Sequence, residues 1–378
     1  MVKLVCYVGL IFTFIVGGCR QAYTPPAIKA VNNYLVADGF LNAGSDSTII
    51  ILSRTRALTA PSTPILETNA QIFVEGDGGF SVQLANLGSG RYGSAGLNLN
   101  NLQKYRVRIE TANGSEYLSD FTPVKPSPPI DSISWQKSDS GITVFANTHD
   151  PSNNSRYYRW EYTETWEYHS FYESFAHYVP ADTSVIINTI EIPHICWDND
   201  HSENILIATS AKLSNDVIFR KSLTVIPPNS EKLSVRYSII VRQYALTSDA
   251  YNYWETLRKS TEDAGTLFDQ EPSQITGNIH CVTNPNEPVL GFIGVGTVAE
   301  QRIFVTNSQV APWQTTQPCG TIALHSRDSL ADYENSGGWI ITSTLPPGGP
   351  GISAYILSSD FCVDCTARRG TDIIPAFW

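Results

Sequence analysis

The chain has 378 residues, and a prior of about 150 residues per domain predicts two or three domains. Its 18 Tyr, 8 Trp, 26 Gly and 22 Pro, with a single Met, are typical of an exported β-rich protein. The formal net charge of -11 argues against a nucleic-acid partner and against broad contact with anionic lipid.

The N-terminus has the pattern of a lipoprotein signal peptide. A charged start is followed by an apolar run at residues 4–16 and by two glycines directly before Cys19. The apolar run is shorter than the roughly 20 residues that a membrane-spanning helix needs. We therefore expect residues 1–18 to be removed, Cys19 to carry the lipid, and residues 19–30 to form a spacer.

Residues 31–125 alternate short apolar runs with turn residues, which predicts an immunoglobulin-like sandwich. The clearest alternation places Tyr105, Val107 and Ile109 on one face of a strand, with charged residues on the other. The predicted strands are Val31–Ala37, Thr48–Leu52, Gln71–Glu75, Phe80–Leu84, Tyr105–Glu110 and Tyr117–Phe121.

Prolines between residues 123 and 129 predict a linker, with a domain boundary near residue 126. Residues 126–245 are predicted to form a fibronectin-like sandwich with an irregular insertion around residues 170–230. This prediction depends on two long strands of strict alternation, one at residues 158–168 and one at 233–241.

Residues 246–378 are predicted to form a helix, a hairpin and a tail packed on the second domain. Thr247 or Ser248 can cap the helix, which would bury an aromatic face and end at Gly265. Residues 289–297 and 302–305 are the predicted hairpin strands. The fold class is thus mainly β, with two immunoglobulin/fibronectin-like sandwiches in tandem, one short helix and a cysteine-bearing C-terminal β region.

Five cysteines follow Cys19, so they cannot all pair with one another. An exported protein retains disulfides, and we expect two bridges and one free thiol, with the pairing left open. The Cys-x-x-Cys spacing near the C-terminus lacks the setting of a redox motif and lacks a second pair for zinc. The candidate disulfide residues are Cys196, Cys281, Cys319, Cys362 and Cys365.

A second group of potential ligands falls within eight residues, from His194 to His201, and includes Asp198 and Asp200. Its spacing fits no standard zinc or calcium site, which favours a polar loop around a disulfide cysteine. We expect no metal and no cofactor.

An aromatic row that contains Trp160, Trp166 and Tyr168 could form a stacking platform for a glycan or peptide ligand. The competing interpretation, more common for such a strand, is that these rings fill the core. Glu164 lies among the rings and indicates a polar network or a strand bend. Glu161, Glu167 and Glu173 add carboxylates that glycoside hydrolysis would need as a pair.

The chain resembles the outer-membrane lipoproteins of Bacteroidota grouped as domain-of-unknown-function family 4249. The segments that carry this resemblance are Tyr34–Phe40, Leu52–Arg56, Tyr117–Phe121, Pro129–Ile133, Arg156–Tyr162 and Gly277–Cys281. The resemblance implies attachment to the outer membrane at the cell surface and partnership with a TonB-dependent transporter barrel. It brings no catalytic residues.

Three functions follow as hypotheses. The first is a non-enzymatic accessory or binding protein of such a transporter in nutrient uptake. The second is a surface hydrolase acting on glycan or peptide, and the third is an adhesin or assembly scaffold.

Overall fold

The computed structural model describes residues 33–56, 63–179, 184–187, 192–261, 275, 277–315, 318–326, 329–330, 332–333, 337–347 and 351–378. The predicted signal peptide, Cys19, the spacer and the helix end at Gly265 lie outside these residues. Within them the chain is mainly β, as predicted. No helix in these ranges is long and apolar enough to cross a membrane.

The first nineteen strands precede the main helix. They are β1 (Leu35–Asn42), β2 (Thr48–Arg54), β3 (Ile65–Leu66), β4 (Gln71–Gly76), β5 (Ser81–Gln83), β6 (Ala85–Gly88), β7 (Arg91–Ser94), β8 (Lys104–Glu110), β9 (Glu116–Ser119), β10 (Thr122–Pro123), β11 (Ile130–Ser138), β12 (Gly141–Asp150), β13 (Tyr157–His169), β14 (Ala176–Val179), β15 (Ser184–Ile187), β16 (Ile195–His201), β17 (Leu206–Thr209), β18 (Asp216–Ile226) and β19 (Arg236–Ala245).

In the described part of the chain, the main helix, six further strands and a one-turn helix follow. They are α1 (Ser248–Thr261), β20 (Ile279–Cys281), β21 (Gly294–Gly296), β22 (Val298–Thr306), β23 (Ile322–Leu324), β24 (Trp339–Leu345), β25 (Ala354–Ser359) and the one-turn helix α2 (Asp360–Val363). Short 3-10 turns cover Glu231–Leu233, Asn307–Val310 and Cys365–Arg368.

The first sandwich consists of two sheets around one apolar core. One sheet has the order β21-β1-β2-β7-β6, with β3 on β2, and the other has the order β20-β9-β8-β4-β5, with β10 on β8. In β8 the predicted alternation is confirmed, because Tyr105, Val107 and Ile109 are buried while their neighbours are partly exposed. Side chains on one face of each strand therefore build this core.

The second sandwich packs the sheet β11-β12-β18 against the sheet β16-β13-β19-β22, with β17 also on β13. The irregular insertion predicted for residues 170–230 is wrong over much of its length, because β16, β17 and β18 are regular strands of this sandwich. β16 was not predicted as a strand because it carries Asp198, Asn199 and Asp200 in place of an apolar alternation. Its pairing with residues Thr163–His169 of β13 makes it a strand.

The chain returns to the first sandwich after α1. β20 pairs with β9, and β21 runs parallel to β1, so both complete sheets that began more than 150 residues earlier. The predicted packing of residues 246–378 on the second domain is therefore wrong for β20 and β21. The predicted hairpin is also wrong, because β21 joins the first sandwich and β22 pairs with β19 of the second. Local patterns cannot reveal such distant partners.

A fifth sheet, β15-β14-β24-β25-β23, forms the C-terminal β region with a small core of its own. Two disulfides hold this region: Cys319 is bonded to Cys362, and Cys365 is bonded to Cys196 of β16. The second bridge ties the segment after α2 to the core of the second sandwich.

A separate apolar cluster joins the two sandwiches through α1. Ala250 and Tyr253 of α1 are buried with Tyr244 and Leu246 of the second sandwich side and with Phe292 beside β21. Phe40 of β1 packs edge-on against Tyr244, with ring centroids 5.0 Å apart. The joint thus contains side chains from both sandwiches and from the helix.

Gly291 permits the close approach of the returning chain to β1. Its φ is +132°, and a Cβ there would lie 2.0 Å from the Ala37 carbonyl oxygen. We expect Gly291→Ala to lower the free energy of unfolding by about 1 to 3 kcal/mol more than Gly114→Ala, since the control has φ +82° but open space around it. Urea unfolding measures both variants, and equal losses would contradict the close-approach explanation.

Candidate functional site

An open cleft of about 630 Å³ lies at the joint between the first sandwich and α1. Asp120 and Phe121 form one side, Asp249 and Tyr253 of α1 form the other, and Phe292 contributes from the returning chain. The volume falls within the range of about 300 to 1,000 Å³ that is usual for small-molecule sites. The cleft therefore combines carboxylates with aromatic walls in a space that a small ligand could fill.

The wall from the first sandwich is fixed by a buried asparagine. Asn278 donates from Nδ2 to the Ile293 carbonyl at 3.0 Å and accepts the Ile293 N–H on Oδ1 at 2.8 Å. Its own carbonyl oxygen accepts the N–H of Asp120 at 2.8 Å. Because buried amides need partners, these bonds hold residues 120, 278 and 293 together.

The wall from the helix is organised by its first turn. Thr247 Oγ1 accepts the N–H of Ala250 at 3.2 Å, as an N-cap residue does, and Asp249 lies in the first turn. A carboxylate there is stabilised by the positive end of the helix dipole. Burial raises the pKa of Tyr253, so its hydroxyl stays neutral at physiological pH.

The aromatic row predicted as a ligand platform is instead core, which corrects that prediction. Trp160, Trp166 and Tyr168 are 1%, 8% and 1% exposed, so their faces are closed to a ligand from solvent. Trp160 Nε1 donates to Gln243 Oε1 at 2.9 Å, and the Tyr168 hydroxyl donates to the Cys365 carbonyl at 2.7 Å. The polar tips of Trp160 and Tyr168 are thus satisfied inside the protein, whereas the indole N–H of Trp166 is buried and has no hydrogen-bond partner among the described residues.

Glu164 belongs to a polar network, which its position among the aromatic residues predicted. Its side chain is 2% exposed and lies 2.5 Å from Lys232 Nζ, and it accepts the Tyr237 hydroxyl at 2.6 Å. Lys232 also bridges to Asp200 at 3.0 Å. Burial alone would raise the pKa of Asp200, but the hydrogen bonds from Lys232 and from the His201 N–H, together with the charge of Lys232, hold that pKa below its usual range. A closed network of this kind is a structural element of the second sandwich.

Two further carboxylates of β13 that were considered as candidates for a hydrolytic pair are also engaged. Glu161 accepts the Tyr244 hydroxyl at 2.8 Å, and Glu167 accepts from Trp378 Nε1 at 3.1 Å. These bonds place them on the outer face of the sheet rather than across a cleft from Glu164, so the structure does not bring the three together.

In the histidine segment, His194 lies close to Ser170 and Glu173. His194 Nδ1 lies 2.6 Å from Ser170 Oγ, and His194 Nε2 lies 3.5 Å from a Glu173 carboxylate oxygen. Ser170 is buried, and its hydroxyl donates to the Tyr172 carbonyl at 2.9 Å, which directs the proton away from the imidazole. Burial lowers the pKa of His194. The order resembles a nucleophile, base and acid, but the serine is closed to solvent.

The potential metal ligands of the segment from His194 to His201 do not converge. Cys196 is in a disulfide, and Asp200 is paired with Lys232 at 3.0 Å, so neither is available as a ligand beside Asp198. Among the residues that the structure describes, no three His, Cys, Asp or Glu side chains gather as a metal site would need. In the same part of the chain, Cys281 has a free and buried thiol.

Sequence reasoning did not single out the cleft residues. They come from four separate stretches, and each residue is unremarkable in its own stretch. One signal was present, because Asp120, Phe121 and Asn278 all fall within segments that carry the family resemblance.

The described residues define a multi-sheet β protein with two disulfides and an open cleft where a sandwich meets a helix. The chain belongs to the family described as domain of unknown function DUF4249, whose model matches residues 20–302. No curated protein matches it. A two-domain fibronectin type-III segment from chicken tenascin is 13% identical, with 57% of this chain and 91% of that chain covered and a TM-score of 0.16. With so low a TM-score, the fold assignment rests on this chain's own strand pairing.

Proposed function

We propose that the protein is a lipid-anchored accessory protein of the bacterial outer membrane, partner to a TonB-dependent transporter. It holds a nutrient, glycan or peptide, for uptake and performs no chemistry on it. The observation that carries the proposal is the open cleft at the joint of the first sandwich and α1, a binding geometry with carboxylates and aromatic walls.

Two further observations support this function. Two of the segments that carry the family resemblance, Tyr117–Phe121 and Gly277–Cys281, contribute to the lining of the cleft. The lipoprotein pattern at Cys19 lies only 16 residues before the first strand at Leu35. A short tether keeps the cleft close to the membrane, where a transporter mouth opens.

Affinity purification of the full-length chain from detergent-solubilised membranes tests the partnership. We expect a barrel-sized transporter to be recovered with the wild-type protein, and we expect it to be lost with Cys19→Ser, which removes the lipid attachment site. Cys281→Ser changes a buried thiol with no role in anchoring and is the matched control. Recovery of the wild-type chain alone would overturn the proposal.

A surface hydrolase is the second candidate, favoured by the Ser170–His194–Glu173 trio. If this candidate holds, the solubilised protein cleaves a member of a glycan and peptide panel, and His194→Ala abolishes that activity. A parent protein without activity on the panel removes this candidate. An adhesin or scaffold is the third, and loss of adhesion without loss of nutrient uptake in a gene deletion would favour it.

A further inference from the structure

The charged groups among the described lining residues of the cleft are both carboxylates. Asp120 and Asp249 face it from opposite sides, and no Lys, Arg or His is among its described lining residues. His280 Nε2 lies 3.3 Å from Asp120, but both side chains are more than half exposed, so water screens this pair. The cleft is therefore negative, and it attracts a positive group.

Three hydrogen-bond donors of the cleft walls are already used within the protein. Thr256 Oγ1 donates to the Asn252 carbonyl at 2.8 Å, and Asn278 Nδ2 donates to the Ile293 carbonyl at 3.0 Å. Thr122 Oγ1 donates to the Asp120 carbonyl at 3.4 Å. With these donors engaged and two carboxylates exposed, the lining is richer in acceptors than in donors. The ligand must supply most of the donors.

The apolar part of the lining favours a ligand in which an aromatic or aliphatic group lies next to a cation. Tyr253 and Phe292 lie with ring centroids 5.6 Å apart. Phe121 is 39% exposed, and the Arg106 guanidinium already stacks over its ring at 4.6 Å. Tyr253 and Phe292 are each 9% exposed, so the ring that the cleft offers to a ligand is mainly that of Phe121. An exposed aromatic ring attracts ammonium and guanidinium groups as well as apolar side chains.

We infer that the cleft binds a short peptide that presents a lysine or arginine side chain next to an aromatic or aliphatic residue. This inference rests on the proposed nutrient-binding function and names its ligand class. A basic side chain has several donors and no acceptor, which matches the acceptor-rich lining. The hydroxyls of a neutral glycan would need donors from the protein as often as acceptors, and the walls offer few.

Titration calorimetry on the detergent-solubilised full-length protein tests the inference. The probes are the capped tripeptides Phe-Lys-Phe, Phe-Gln-Phe and Phe-Glu-Phe, together with the neutral oligosaccharide maltohexaose. We expect the lysine peptide to bind about tenfold or more tightly than the glutamine peptide, because two carboxylates face one cation. The preference should shrink as salt is raised.

Two variants connect the preference to the cleft. Asp249→Asn keeps the side-chain shape and should reduce the preference for lysine over glutamine to about threefold or less. Asp139→Asn, at an exposed turn residue between β11 and β12, should leave it unchanged.

Equal binding of the three peptides, tighter binding of maltohexaose, or an unchanged preference in Asp249→Asn would each overturn the inference. Absence of binding by every probe would also overturn it. The transporter partnership is tested separately, by co-purification. If the barrel is recovered but the protein binds no peptide, this inference fails and the proposed partnership is still supported.

Discussion

Lys232→Met is expected to lower the free energy of unfolding by about 3–5 kcal/mol, the usual cost of removing one partner of a buried ion pair. The reason is the position of Glu164, which is 2% exposed and has the Lys232 ammonium at 2.5 Å. Without that ammonium, a carboxylate remains in the core of the second sandwich with the Tyr237 hydroxyl as its remaining described donor. Urea unfolding followed by fluorescence measures the loss.

The double variant Lys232→Met with Glu164→Gln separates the unpaired charge from lost packing. Lys232 also covers the Trp166 ring at 4.9 Å, and methionine retains part of that contact. We expect the double variant to recover more than half of the loss. Lys212→Met, at an exposed residue, should change stability by no more than about 0.5 kcal/mol. A double variant as unstable as the single one would show that charge burial is not the cause.

Removal of the Cys196–Cys365 bridge by alanine at both positions should cost up to about 5 kcal/mol. The bridge closes a sequence separation of 169 residues, and the loss of chain entropy on cross-linking grows with the logarithm of that length. The Cys319–Cys362 bridge closes 43 residues, so the same model gives up to about 4 kcal/mol for its removal. Both cysteines of the longer bridge are also fully buried in the second sandwich.

The measurement is the urea midpoint of each double-alanine variant, with a thiol count to establish that the remaining bridge is intact. Cys281→Ala is the matched control, since it removes a buried thiol without breaking a bridge, and should cost about 1 kcal/mol. If the Cys319–Cys362 variant proves the less stable of the two, loop length does not govern these bridges.

Periodicity predicted those parts of the fold in which each strand buries one face. The alternation of β8 and β13 predicted their strands, and the cap at Thr247 predicted the start of α1. Of the two interpretations of the aromatic row, the structure supports core filling, which was the more common one for such a strand, and the ligand platform is wrong. The alternation that identifies a strand does not by itself say which face is buried. Burial depends on the sheet opposite, and no local pattern contains that information.

Distant pairing accounts for most of what the sequence did not predict. β21 is three residues long and Gly-rich, a weak strand signal that becomes a strand through its parallel pairing with β1. The cleft depends on this return, because Asn278 and Phe292 reach it only when the chain comes back to the first sandwich. A site assembled from stretches so far apart has no spacing that a motif could record.

The returning chain also determines how the two sandwiches can move. Among the described strands, the chain passes between the sandwiches three times: after β10, between β19 and β20, and between β21 and β22. Two bodies joined by one linker swing about it as a hinge, whereas three crossings permit rotation only about an axis that all three share. The helix wall of the cleft belongs to the second of these crossings and packs with Phe40 and Phe292 of the first sandwich, so we expect the opening between α1 and that sandwich to keep its width. A ligand that binds there would enter a preformed cleft, so binding would not carry the free-energy cost of closing the two sandwiches around it.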